Sequence, residues 1–524
     1  MPYRLRKHGL ILISDTNASG QHDKLHPPWP PPTCPPQKAA MKLLALAIAA
    51  SSTAAVAQQD FNIFQHIGGN GQWYPGEERT GISSEVPEGC KVDLAAFFSR
   101  HGSRYPDRGA YNGWVDFAKY IQAAGNFTVT DNKLAFLKTW KPVLSKPDAQ
   151  IANLSPTGWK ELHEMGTTWR LRYPDLYEYN TPFTMWANYY TSAPRVRDSA
   201  RLFAQGFVGP NATDLTTIYA LNASDPASWG NSLATSDLCK AYNDQGGDPV
   251  KPVWDSIYLT RIAARLNAQI QGGLNLTNSQ VDQIPYLCGF ETQITGHRSP
   301  FCDIFTEEEI LQYEYAQDLR YWYGTGLGSD IEKYQMLPVI DMTVKRFVDG
   351  PNATYKTSNG TFVPPKIMAN FANDGQINQI AAMIGVFDSQ RPLPGNMSLP
   401  DRLFRSSQVV KMRGTVAFER LSCPAAAGAR NSTCAYGNVS NNTTSDSSYM
   451  RIRINDVVYP VVGCTSGPGS SCPLSEYQQI IQRKRAEAGD FTKICNMTDG
   501  RLAPQPNATF FFDNTLPWQI VVKP

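Results

Sequence analysis

Two rhythms of apolar positions run through this chain. Short, almost unbroken apolar runs each end on a polar turn, while longer stretches repeat their apolar residues every three to four positions. The run "KVDLAAFF", Lys91 to Phe98, is apolar toward both sides, as expected of a parallel strand covered by helices on both faces. It ends on Ser99-Arg100-His101-Gly102. The stretch "FTMWANYYTSAPRVRDSARLFAQGF" predicts a second strand, aromatic to Tyr190, then a Ser-Ala-Pro turn, Arg195, and a helix with Ala200, Phe203 and Phe207 on one face. In "PKIMANFANDGQINQIAAMIGVF", Ile367 to Ala372 read as a third strand and Asn373-Asp374 as the turn. Ile377, Ile380, Ala381 and Ile384 then make a helical face.

In open α/β sheets ligands bind beyond the carboxyl ends of the strands. The three junctions place Arg100, His101 and Arg104, then Arg195, then Asn373 and Asp374 at such ends, and the groups converge if the strands are neighbours. Further helices are predicted from Ser155-Pro156, with Trp159, Leu162, Gly166 and Trp169 along one face, and from Thr306, whose pairing with Glu309 is a capping box.

The amino terminus changes the picture of where the chain works. "MKLLALAIAASSTAAVAQQ" carries Lys42, an apolar run from Leu43 to Ala50 and a small-residue Ala55-Val56-Ala57 cleavage site, which predicts a signal peptide over 41–57. Residues 1–40, rich in proline, read as an upstream extension with Met41 as the start. No later run of about 18 apolar residues predicts a membrane span. Of 29 Asn after residue 57, 14 lie in N-x-[ST] sequons: Asn126, Asn153, Asn211, Asn222, Asn275, Asn352, Asn359, Asn396, Asn431, Asn438, Asn441, Asn442, Asn496 and Asn507. The segment Asn431 to Ser448 is expected to be a glycosylated surface loop. Nine Cys follow residue 57 without a C-x-x-C pair, which reads as disulfides in an oxidising compartment with one thiol left over.

Charge and histidine content narrow the chemistry. The first 57 residues hold six Lys/Arg against two Asp/Glu, leaving 42 against 44 for the rest, so bulk nucleic-acid binding is not expected. Beyond residue 57 the histidines are His66, His101, His163 and His297, scattered singly, so no metal site is expected. Three guanidiniums offer forked donors that match phosphate oxygens. An imidazole among them is a nucleophile that forms a phosphohistidine without a metal, and Asp374 is the candidate acid for the leaving oxygen, which predicts an acidic working pH. Each piece alone has a plainer reading: R-H-G is a weak motif, Asp374 could cap a helix and Arg195 could be a solvated turn residue.

Arg100-His101-Gly102-Ser103-Arg104-Tyr105-Pro106 matches the R-H-G-x-R-x-P motif of the histidine acid phosphatases. The chain resembles the family's branch of secreted fungal acid phosphatases and phytases. "VPEGC", "LSPTGWKELHEMGTTWRLRY", "GLNLT", "FCDIFTEEEILQYEYAQDLRYWYGTGLGSDI" and "MRIRINDVVYPVVGCTSGPGSSCPLSEY" extend that resemblance toward the yeast repressible acid phosphatases. It implies an α/β fold with a largely parallel central sheet, phosphoglycerate mutase-like, over residues 58–524, with an inserted α-helical subdomain at roughly 107–180 and 212–335. It implies His101 as nucleophile, Asp374 as proton donor, and Arg100, Arg104 and Arg195 as the phosphate clamp. No cofactor is implied, and the substrates would be small phosphomonoesters, with phytate among the candidates. The family usually has His before the Asp where this chain has Asn373, whose amide can donate to a phosphate oxygen but carries no charge. Ser103 replaces a Glu or Ala, with substrate range as the expected consequence. The implied disulfides are Cys90–Cys423, Cys239–Cys495, Cys288–Cys302 and Cys464–Cys472, leaving Cys434 free. Two rivals stand beside this reading. One is a phosphoglycerate-mutase-type enzyme, which normally carries neither signal peptide nor sequons; the other is a secreted glycoprotein that kept the fold and lost catalysis.

Overall fold

Nine strands form one mixed sheet in the computed structural model, which describes residues 61–424 and 447–524. They are β1 (Lys91–Arg100), β2 (Phe183–Asn188), β3 (Thr216–Leu221), β4 (Ile367–Ala372), β5 (Thr415–Cys423), β6 (Ser447–Ile454), β7 (Val457–Tyr459), β8 (Cys472–Pro473) and β9 (Gln519–Val522). Their order across the sheet is β7-β6-β5-β1-β4-β2-β3-β9, with β8 paired to β6. The centre, β1-β4-β2-β3, is parallel, and antiparallel strands flank it on both sides.

The three strands singled out in the sequence are therefore neighbours. Arg100 stands opposite Ala372, and Ala187 opposite Phe371, so β1, β4 and β2 end at one edge. Strand β2 stops at Asn188 rather than at Tyr190, because β3, its partner, itself ends at Leu221 opposite Asn188.

The apolar runs are explained by two cores, one on each face. Ala95 and Phe97 of β1 pack with Leu162, Met165, Trp169, Ala200, Phe203 and Phe207. Ala96 and Phe98 point the other way, into the larger core with Met368, Ile377 and Ile380. The helices that cover the sheet and extend from it are α1 (Arg108–Ala123), α2 (Pro156–Arg172), α3 (Arg195–Val208), α4 (Val250–Asn267), α5 (Asn278–Thr295), α6 (Glu307–Gly324), α7 (Leu337–Asp349), α8 (Asp374–Met383) and α9 (Leu474–Ala488). Within 107–180 and 212–335, α2 and β3 belong to the sheet layers, whereas Trp114 of α1 packs edge-on against Phe290 of α5.

Helix α2 starts as predicted, with Ser155 accepting from the Gly158 N–H at 3.3 Å and Pro156 in the first turn. Its buried face is Gly158, Glu161, Leu162, Met165, Gly166 and Trp169. Trp159 lies off that face and is 52% exposed, a correction to the predicted stripe. Gly158 is required by a close approach: a Cβ there would run into the carbonyl oxygen of Ser103. The capping box of α6 is present, with Glu309 N–H donating to Thr306 at 3.3 Å and Thr306 N–H to Glu309 at 2.9 Å.

Four disulfides join Cys90 to Cys423, Cys239 to Cys495, Cys288 to Cys302 and Cys464 to Cys472, the pairs implied by the resemblance. Asn126, Asn211, Asn275, Asn352, Asn359, Asn396, Asn496 and Asn507 are exposed, and Asn153 and Asn222 half-buried. The expected extension (1–40), signal peptide (41–57), Cys434, and the sequons at Asn431, Asn438, Asn441 and Asn442 lie outside the described residues. Among the described residues no helix is long and apolar enough to cross a membrane.

Candidate active site

The backbone fixes the end of β1 before any side chain is considered. His101 N–H donates to Ala372 O at 3.1 Å, and Arg413 N–H donates to His101 O at 2.9 Å, so the R-H-G turn is tied to β4 on one side and to the approach to β5 on the other. The His101 ring is 1% exposed. Its Nδ1 lies 2.9 Å from Gly102 O; a carbonyl can only accept, so Nδ1 carries the proton and Nε2 keeps its lone pair. Burial, and after it the charges of Arg195, Arg100 and Arg104, push the imidazole pKa well below its usual value. Burial and the neighbouring guanidiniums thus both favour the neutral ring.

Three guanidiniums stand around it. Arg100 is anchored by Nη1, which donates to Gly69 O at 2.6 Å and Val410 O at 2.5 Å, leaving Nη2 3.4 Å from Asp374 Oδ2. Arg104 Nη2 lies 2.9 Å and Arg195 Nη1 3.3 Å from the two oxygens of Asp107. Burial, and next the like charge of Arg104, bring Arg195 down to about 10. That mutual repulsion is the electrostatic mark of a site that is short of negative charge.

Asp374 is the first residue of α8. Burial would raise its pKa, but the Arg100 charge and the Tyr321 hydroxyl, donating to Oδ2 at 2.7 Å, override it and hold the carboxyl well below the usual range. The carboxyl is thus held as a carboxylate, where the sequence predicts a protonated acid. The reason is that Arg100 and Tyr321 both favour the charged form.

Two hollows open beside these residues. One, of about 410 Å³, is lined by Arg100, Arg104, Asp374 and Tyr321 together with Asn70, Asp282, Tyr286, Tyr313 and Arg320. The other, of about 450 Å³, is lined by Arg195, Asn373, Asp107 and Tyr190. Asn373 caps α8, its N–H donating to Gln376 Oε1 at 3.1 Å. Five of the six residues picked out at the strand ends line these two hollows, and His101, buried among the charges of Arg100, Arg104 and Arg195, lines neither.

Three neighbours were missed. Asp107 bridges Arg104 and Arg195, and its only sequence signal is its position three residues after Arg104. Tyr321 lies on α6 with no local hint of its partner. Glu161 accepts from Ser103 N–H at 2.7 Å, from Ser103 Oγ–H at 2.8 Å and from Trp73 N–H at 2.9 Å. Ser103 is fully buried in that network, which ties down the loop.

The ends of adjacent parallel strands thus place a buried imidazole among the charges of three arginines. Residues 91–455 match the family model of the histidine phosphatase superfamily (branch 2), and the chain belongs to that family. Among curated proteins it is 26% identical to the phytase PHO112 of Candida albicans, covering 87% of this chain and 91% of that protein. It is 28% identical to the constitutive acid phosphatase of Saccharomyces cerevisiae, covering 86% and 90%. The crystal structure of the phytase from D. castellii superposes with a TM-score of 0.73 at 23% identity, covering 89% of this chain and 94% of that one.

Proposed function

We propose that this protein is a secreted acid phosphatase that hydrolyses phosphomonoesters through a phosphohistidine on His101. The observation that carries the reading is the neutral His101 imidazole, its Nδ1 proton fixed on Gly102, set among Arg100, Arg104 and Arg195. Nε2 attacks phosphorus, the P–O ester bond breaks, and the guanidiniums take up the charge on the equatorial oxygens. The leaving oxygen receives a proton from Asp374. Water then attacks phosphorus, Asp374 takes its proton, the P–N bond breaks, and inorganic phosphate leaves.

Because Arg100 holds Asp374 ionised, the first proton is best supplied by the ester itself. A phosphomonoester has its second dissociation near about 6, so in acid it arrives as a monoanion with one proton to give. Its oxygens compete with Asp374 for Arg100, which weakens the hold on the carboxyl and lets the proton move there. The mechanism thereby requires acid without requiring a protonated acid at rest. Secretion is supported by the predicted signal peptide, the exposed sequons and the four disulfides.

The test is turnover of p-nitrophenyl phosphate from pH 2 to 7, combined with an acid quench of labelled substrate. Label on His101, and loss of turnover in a folded His101→Ala protein, are expected. Substantial activity in that variant excludes the covalent route, and an inert wild-type protein leaves the non-catalytic glycoprotein.

A further inference from the structure

We infer that the leaving-group half of the site takes an uncharged alcohol bearing a single phosphate, such as a polyol or aryl ester, in preference to an alcohol carrying several phosphates. The inference rests on the phosphatase reading and adds the class of substrate. It comes from the charges that remain once the transferred phosphoryl group is seated.

Among the described residues lining the hollow of about 410 Å³, the cations are Arg100, Arg104 and Arg320. The first two belong to the clamp and are occupied by the phosphoryl group being transferred. Arg320 is already engaged: Nη1 and Nη2 lie 3.0 and 2.8 Å from the two oxygens of Asp244, and its guanidinium sits 5.0 Å from the centre of the Tyr321 ring. A bidentate pair of this kind leaves little positive field for a second phosphate.

The same wall carries a negative charge. Asp282 lines the hollow, receives only a long 3.4 Å hydrogen bond from Tyr258, and has no cation paired with it among the described residues. A second phosphate entering this hollow meets a like charge and, among the described residues that line it, no cation outside the clamp and the Arg320–Asp244 pair. A hydroxyl, by contrast, can donate to that carboxylate. The side contributed by α1 brings Ala110 and Gly113, which add no charge and leave room, and Tyr286 adds an aromatic face for a ring or a polyol carbon chain. Shape and charge therefore agree on a neutral, hydroxylated or aromatic group.

The experiment compares kcat/KM for glycerol 2-phosphate, phenyl phosphate and inositol hexakisphosphate at one acidic pH, at low and high salt, for wild type, Asp282→Asn and Asp282→Lys. Wild type is expected to favour the two monophosphates by about tenfold or more. Asp282→Lys is expected to narrow that preference by about tenfold at low salt and by less at high salt, with Asp282→Asn between. The milder Asn variant keeps the test decisive if the Lys variant folds poorly. A wild-type preference for the hexakisphosphate, or equal effects of the substitutions on all three esters, overturns the inference while the phosphatase reading stands. No hydrolysis of any ester overturns that reading, and the inference with it.

Discussion

The Tyr321 hydroxyl and the Arg100 guanidinium share one oxygen of Asp374, Tyr321 donating at 2.7 Å and Arg100 Nη2 standing 3.4 Å away. The phenol comes from α6 and so fixes where the carboxyl points. Tyr321→Phe removes a hydrogen bond to the ionised form, so the Asp374 pKa rises. The expected result is an alkaline limb of the pH–rate profile displaced to higher pH. Alkyl phosphate turnover is expected to fall about fivefold to tenfold, a loss of about 1–1.5 kcal/mol, with p-nitrophenyl phosphate affected less. An unchanged profile means that Tyr321 only packs.

Asp374→Asn tests the proton donor directly. A p-nitrophenolate leaves without help, whereas an alkoxide does not, so the variant is expected to lose about 10²–10⁴ on alkyl phosphates and much less on p-nitrophenyl phosphate. Steady-state rates on the two esters decide it. Equal losses assign Asp374 a structural part at the start of α8.

Asn373 lines the same hollow as Arg195 and Asp107. Asn373→His puts a group there that is charged in acid, and charge-assisted hydrogen bonds exceed neutral ones by about 1 kcal/mol. Inorganic phosphate is expected to inhibit about fivefold more tightly. The added charge beside Asp374 also favours its ionised form, moving the alkaline limb to lower pH. Phosphate inhibition and the pH dependence of kcat read both effects, and no change in either removes residue 373 from the phosphate site.

Stability in acid is expected to depend on Glu314, buried on α6 with Arg402 and Arg405 each at 3.0 Å and His66 Nδ1 at 3.2 Å. Burial would raise its pKa, but the bond from His66 and the charges of His66, Arg402 and Arg405 bring it from 4.5 to about 2. A carboxyl whose folded pKa is depressed contributes stability that is fully present above its unfolded value and lost as the pH falls through the folded one. Here the window runs from about 4.5 down to about 2, and the contribution is roughly 3 kcal/mol. Glu314→Gln is expected to lower stability by that order at neutral pH and to flatten its decline between those limits. Denaturant midpoints measured at several pH values check both.

What could be read in advance followed from local pattern. The run Ala95-Ala96-Phe97-Phe98 is apolar on both faces because helices cover the sheet on both faces, and such a run is visible without knowing its neighbours. Ser155 and Thr306 announce their helices for an equally local reason. Trp159 misled because helical spacing alone does not say which of two adjacent residues faces inward. The carboxylate state of Asp374 was illegible because it depends on Tyr321 and Arg100, partners brought together only by the fold. The same holds for Glu161, which reaches Ser103 and Trp73 from a helix whose sequence gives no sign of either contact.

Arg100 Nη1 is held by the carbonyls of Gly69 and Val410, so one guanidinium binds the early part of the chain, the motif strand and a segment more than three hundred residues later. Arg100 cannot take its final geometry on a growing chain until residue 410 has been made and has found its place. An enzyme assembled in this order stays silent toward phosphate esters during synthesis, and the appearance of turnover reports that both ends of the domain have met.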